Sequence, residues 1–168
     1  MKKETKIKKV EMEHAKCVWG LLCSLSSVDQ ERNNISLFNV LEQINIPADF
    51  FIAQKKEGKN LIFPFAYEIV LCWRRTLDIG ISDEEILAEF KIKTIDPSGK
   101  ILQEVLSPLK FPKGIKRLRS RFVMQGILAS MVGDYAHQIE IKLPNQNEFK
   151  KVLEIPFEIR EQKLSMVV

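Results

Sequence analysis

Phe65-Ala66-Tyr67-Glu68-Ile69-Val70-Leu71-Cys72-Trp73-Arg74-Arg75 decides how this chain is read. Phe65, Tyr67, Ile69, Leu71 and Trp73 recur at every second position, with Glu68 and Arg74 among the residues between them. A period of two marks a strand with one face in a core. The same period returns in residues 86–95, 135–143 and 153–159. Ile86, Ala88, Phe90, Ile92 and Thr94 share one face, and Glu89, Lys91 and Lys93 the other. No segment of twelve or more residues carries a convincing helical period.

Working outward, residues 17–28 and 35–46 are apolar runs split by the polar stretch 29–34, which contains Asn33-Asn34. That arrangement predicts a β-hairpin, with Phe38, Val40, Ile44 and Ile46 in phase and Gly20 marking a bulge. Residues 50–56 predict one or two helical turns capping an open end of the fold, ended by Gly58. Asp96-Pro97-Ser98-Gly99 has the residue order of a type I turn. Residues 101–106 continue as its partner strand, and Pro108 and Pro112 take residues 107–114 out of the ladder. Residues 118–131 form the next strand, bent at Gly126. Pro156 suggests that the last strand lies at an edge. Turns every 8 to 14 residues suit a sandwich or barrel. The expected fold is all-β: a two-layer antiparallel β-sandwich of about eight strands, immunoglobulin-like or a related Greek key. Residues 1–16 read as a flexible charged tail, 17–160 as the sandwich domain, and 161–168 as a second tail.

Composition narrows the function classes. Cys17, Cys23 and Cys72 are odd in number and lie in apolar runs, which suits reduced core thiols rather than a secreted disulfide framework. Residues 1–16 are charged and lack the apolar core of a signal peptide. Residues 17–25 are too short to span a bilayer, which takes about 20 apolar residues. The chain therefore reads as cytoplasmic, without membrane contact.

Catalytic signatures are scarce. His14 and His137 have no ligand at a metal-binding spacing, so neither metal nor cofactor is expected. No nucleophile elbow or phosphate-cradling glycine loop occurs. Cys72 and His137 point opposite ways by alternation, which disfavours a Cys–His pair. Asp29, Glu31, Asp83, Glu84 and Glu85 cluster at turns and read as solvated charge. A hydrolase or isomerase site near His137 is the remaining enzymatic alternative.

Charge supplies the one unusual signal. The net charge is +4, yet Lys110, Lys113, Lys116, Arg117, Arg119 and Arg121 lie within twelve residues without an acid. Residues 1–16 add a net +3, so the rest of the chain is net negative. Arg117, Arg119 and Arg121 would form one basic row on a strand, with Leu118, Ser120 and Phe122 behind it. Pairing with Glu89 or Glu104 across strands would make that row ordinary. Unpaired, it would contact an acidic protein or nucleic acid phosphates. The expected partner-binding residues are Lys113, Lys116, Arg117, Arg119 and Arg121. The expected activity is non-catalytic binding to a protein partner through loops, an edge strand or this basic face. Nucleic acid binding by residues 113–121 is the alternative, and homodimerisation by an edge or face is a further possibility.

The hairpin and the closing strands carry a resemblance. Residues 17–46 run through small residues, an acid-led turn with Asp29, Asn33, Asn34 and Ser36, then Leu37-Phe38. Gly133, Tyr135 and Ile139, followed by Ile155-Pro156-Phe157, complete the pattern. In these features the chain resembles a bacterial family of small β-sandwich domains, over residues 17–159. The resemblance implies the fold. No activity is established for the family, so it implies no catalytic residue.

Overall fold

The computed structural model describes residues 15–59, 61–75, 85–144 and 146–162. The expected tails fall largely outside these residues, as do the turn acids Asp83 and Glu84. Eleven strands and one helix make the described chain mostly β. They are β1 (Ala15–Asp29), β2 (Asn34–Val40), β3 (Gln43–Pro47), α1 (Ala48–Glu57), β4 (Ile62–Phe63) and β5 (Tyr67–Arg75). After these come β6 (Ile86–Ile95), β7 (Ile101–Phe111), β8 (Arg117–Met124), β9 (Ile127–Leu128), β10 (Gly133–Lys142) and β11 (Lys150–Gln162).

Sheet A has the order β2-β1-β5-β8, and sheet B the order β3-β11-β10-β6-β7. A short pair, β4-β9, stands apart. The inner faces of both sheets share one core, from Leu22, Tyr67, Ile69, Leu71 and Trp73 on sheet A to Phe90, Ile139, Phe157 and Ile159 on sheet B. Trp73 and Phe90 meet across it at 5.2 Å between ring centres, and Phe122 packs edge-on against Phe90. Gly20 lets sheet A pack tightly on Leu153 of β11: a Cβ there would stand 2.6 Å from Leu153 and 2.7 Å from Leu71. The bulge expected at Gly20 lies just before it, between Cys17 and Trp19.

Several expected strands are split. Residues 35–46 do not form one strand. Asn39 adopts φ 50°, the chain crosses at Leu41 and Glu42, and β3 joins the other sheet. There β3 runs parallel to β11, so sheet B is mixed rather than antiparallel. This crossing undoes the expected phase: Phe38 and Val40 are exposed, whereas Ile44 and Ile46 are buried. Pro64 breaks the run 63–75, leaving β4 apart from β5. Residues 118–131 break at Gly126, where a Cβ would stand 2.3 Å from Ile62 Cγ2. These breaks account for the excess over about eight strands.

Two proline readings are corrected. Pro108 stays within the ladder opposite Glu89, because β7 is an edge strand and half of its N–H groups point away from the sheet. Pro156 does not mark an edge strand, since β11 lies between β10 and β3. Pairing with β3 begins only at Glu158, whose N–H donates to the Glu42 carbonyl at 2.8 Å. Pro156 presents its nitrogen to the same side before β3 starts, so no bond is lost.

Local chemistry fixes the turns. Asp29 Oδ1 accepts from the N–H groups of Glu31 and Arg32 in the hairpin turn. The Gly99 N–H donates to the Asp96 carbonyl at 2.9 Å, closing the expected turn. Helix α1 is longer than the sequence suggests and ends at Gly58, whose φ of 64° and bond to the Gln54 carbonyl form an αL cap. Phe51 enters the core while Ile52 stays exposed. At the β9–β10 corner, Tyr135 Oη accepts from the N–H groups of Ser130 and Met131, 3.0 Å each, and donates to the Met131 carbonyl at 2.7 Å.

One buried hydroxyl therefore satisfies three backbone groups. Tyr135→Phe should lower unfolding stability by about 1–3 kcal/mol, because those groups keep their desolvation cost without a partner. Urea unfolding at neutral pH measures this, and an unchanged midpoint would contradict it.

Candidate interaction surface

The five expected cations divide into two groups. Lys113 and Lys116 lie on the exposed connector between β7 and β8. Arg117, Arg119 and Arg121 alternate along β8, opposite Arg74, Cys72 and Val70 of β5. They share the outer face of sheet A. Behind them, Ser120 Oγ accepts from the Trp73 indole N–H at 3.1 Å, and Leu118 and Phe122 pack on the core. Glu89 and Glu104 do not neutralise the row. They sit in sheet B, paired with Lys142 at 2.5 Å and Lys91 at 2.9 Å.

The outer face of sheet A is not a flat solvated surface. Val70 is 0% and Cys72 7% exposed, although both point away from the core. The distal part of the β1–β2 hairpin curls over them. Two arginines hold it there. Arg119 donates from Nη1 to Asn33 Oδ1 at 2.8 Å and from Nη2 to the Asn33 carbonyl at 2.6 Å. Arg121 donates to the Ser26 carbonyl at 3.5 Å. The Ser26 hydroxyl donates to the buried carboxylate of Glu68. Asn33 takes φ 53° in the turn, a backbone state that asparagine tolerates better than most residues. The aliphatic stems of Arg119 and Arg121 lie beside Cys72 and Val70, the residues opposite them. Burial pushes the Cys72 thiol pKa up, and the Arg119 and Arg117 charges partly offset that. Burial raises the Cys17 thiol to about 12. All three cysteines are free.

Arg117 stays exposed, and sheet pairing adds two cations that the sequence does not advertise. Lys16 lies opposite Arg74, and Arg74 lies opposite Arg117. Three cations therefore stand abreast on β1, β5 and β8, all exposed. No carboxylate among the described residues forms an ion pair with any of them. Like charges directly opposite each other destabilise a sheet, so the fold itself gains nothing from this rung.

His137 has a different setting. It is 0% exposed, between the rings of Tyr67 and Phe157. Nε2 lies 3.2 Å from Tyr67 Oη and Nδ1 3.1 Å from Thr94 Oγ1, so each ring nitrogen has a partner. Burial lowers its pKa to about 4. Cys72 faces the other side of β5, apart from this group. Asp96 is likewise committed to structure. Its carboxylate accepts from Ser98, Lys100 and Ser130, bonds that hold its pKa below the usual carboxylate range. No group of three or more His, Cys, Asp or Glu among the described residues is placed to hold a metal ion. No helix among them is long and apolar enough to cross a membrane.

No protein-family model matches the chain, and no curated protein does either. Several solved structures are distantly similar, two of them as follows. One is the alkylpurine DNA glycosylase AlkC of Pseudomonas fluorescens, bound to DNA containing an abasic site analogue. The match has 8% identity and a TM-score of 0.45, covering 88% of this chain and 30% of that one. The other is a family 123 glycoside hydrolase from Clostridium perfringens, at 10% identity and TM-score 0.42, covering 89% of this chain and 28% of that one. The chain thus spans under a third of either protein, and neither one's chemistry transfers.

Two outcomes follow from these settings. Releasing the hairpin should expose Cys72, so Arg119→Met should speed its reaction with a thiol reagent by about tenfold, as expected for losing a local closure of about 1–1.5 kcal/mol. An unchanged labelling rate would mean that Arg119 does not hold the hairpin. For His137, the unfolded chain takes up a proton below about pH 6.5 that the folded chain refuses until about pH 4. Stability should therefore fall by about 1.4 kcal/mol per pH unit across that window, up to roughly 3 kcal/mol. A His137→Phe variant should lack this component when urea midpoints at pH 7 and pH 4.5 are compared.

Proposed function

We propose that this chain is a non-catalytic binding module that meets an acidic protein through the exposed cations of sheet A. Lys16, Arg74 and Arg117 form the centre of the contact, with Lys113 and Lys116 beside it. The single observation that carries the reading is the rung of three like charges set opposite one another, with no carboxylate partner among the described residues. Such an arrangement costs folding energy and gains value only when an anion arrives. Arg119 acts behind the contact, gripping the hairpin that shapes the face, while Arg121 is exposed and extends the positive charge along β8.

The scaffold reading is an immunoglobulin-like sandwich. Its support is the Tyr135 hydroxyl bonded back to residues 130 and 131 where the chain enters β10, which has the form of a tyrosine corner. Further support is the early chain crossing that places β3 beside β11. The unpaired thiols fit a reducing cytoplasmic compartment.

A protein partner is favoured over nucleic acid because single strands are gripped by rows of exposed rings. Phe38 is the one large aromatic exposed among the described residues. An enzymatic reading draws no support from His137, which is sealed and has both nitrogens engaged.

Fluorescence anisotropy with a labelled acidic peptide and with single- and double-stranded oligonucleotides tests this function. The wild type should bind the acidic peptide at low salt and lose affinity at moderate salt. Lys16→Glu/Arg74→Glu/Arg117→Glu, checked for folding, should bind at least about tenfold more weakly. Tighter binding to oligonucleotides than to the peptide would overturn the choice of partner. No binding to either would overturn the cation rung as a contact.

A further inference from the structure

We propose that the free edge of β8 receives an extended acidic segment of the partner as an added strand. This deepens the binding-module reading and rests on it. The open strand edges of the two sheets differ. β7 contains Pro108 and faces a register shift between Thr94 and Ile95. β3 has five residues and ends in Pro47. The part of β11 that precedes its pairing with β3 contains Pro156. The part of β1 that β2 leaves uncovered is bulged between Cys17 and Trp19. β2 is broken by Asn39 at positive φ. Such devices are how proteins blunt exposed edges. β8 has none of them. It pairs with β5 over eight consecutive residues without a shift, a proline or a positive φ.

The direction of its backbone groups follows from one bond. The Arg75 N–H donates to the Lys116 carbonyl at 3.0 Å. Antiparallel pairs alternate, so Leu118, Ser120, Phe122 and Met124 turn their N–H and C=O groups toward β5. Arg117, Arg119, Arg121 and Val123 turn theirs outward, four residues of regular ladder awaiting a strand.

Charge selects the occupant. A second copy pairing edge to edge through β8 would set arginines against arginines, which repels it. A strand with carboxylates at alternate positions would place them beside Arg117 and Arg121 instead. At the other end of β8 a groove of about 360 Å³ opens, lined in part by Ile62, Val105, Val123, Met124 and Leu128. It suits an apolar side chain. The inferred ligand is thus an extended segment of about seven residues, with acids at alternate positions toward one end and an apolar residue near the other.

Amide hydrogen exchange with a synthetic peptide of alternating glutamate and valine tests this, with a lysine–valine peptide as control. The acidic peptide should slow exchange at Arg117, Arg119, Arg121 and Val123 by at least about tenfold. Val123→Pro, which removes an outward N–H and leaves the β5 ladder whole, should weaken binding by about tenfold. Should that variant not fold, N-methylation of the peptide at alternate residues removes the same bonds from the other partner. Binding that ignores both changes and protects none of the four amides would overturn strand addition while leaving the binding module in place. No binding of the acidic peptide at low salt would overturn both.

Discussion

β5 is buried on both faces from Tyr67 to Trp73, and this constraint organises the rest of the molecule. Its inner face supplies Tyr67, Ile69, Leu71 and Trp73 to the core. Its outer face carries Val70 and Cys72, which a four-stranded sheet alone would leave in water. Burying an apolar side chain of this size stabilises the fold by roughly 1.5–3 kcal/mol, enough to favour a covering element. The β1–β2 hairpin is that element. The need for cover explains its length, since β1 runs fifteen residues and its distal part reaches past the end of β5 before curling back.

Covering β5 in this way sets the fate of the arginine row. The hairpin leaves backbone carbonyls at Ser26 and Asn33 near β8, and guanidinium groups in the row satisfy them. Arg119 suits the bidentate grip on Asn33 because its fork offers two parallel donors. Arg117 lies beyond the hairpin and keeps its charge in solvent, beside Arg74 and Lys16. A single run of basic sequence thus serves two purposes, a structural one at Arg119 and an exposed one at Arg117.

Much of this was legible in the sequence, and the failures have specific physical causes. Alternation identified the core faces of β5, β6 and β10, because one residue of slip would have turned Trp73 or Phe90 out of the core. The Asp96 turn and the Gly58 cap were readable from residue chemistry. The crossing at Leu41 and Glu42 was not, because both halves of residues 35–46 keep a strand-like period while joining different sheets. Pro156 misled for a related reason: proline reports a missing partner on one side of a residue, not the position of its whole strand. Within the candidate site, Arg117, Arg119 and Arg121 were visible as a row. Lys16 and Arg74 were not, since only the register brings residues 58 positions apart opposite each other. The charge of each was plain, but the rung exists only in the folded sheet.

The hairpin divides the arginine row into a held member, Arg119, and an exposed one, Arg117. Side-chain ¹⁵N NMR of the arginine guanidinium groups tests it most directly at the atoms concerned. Arg119 should show hindered rotation and distinct Nη resonances, as expected for a guanidinium bonded at both Nη atoms, while Arg117 should show the averaged signal of a freely turning group. Equivalent, averaged signals from Arg117 and Arg119 would contradict the account.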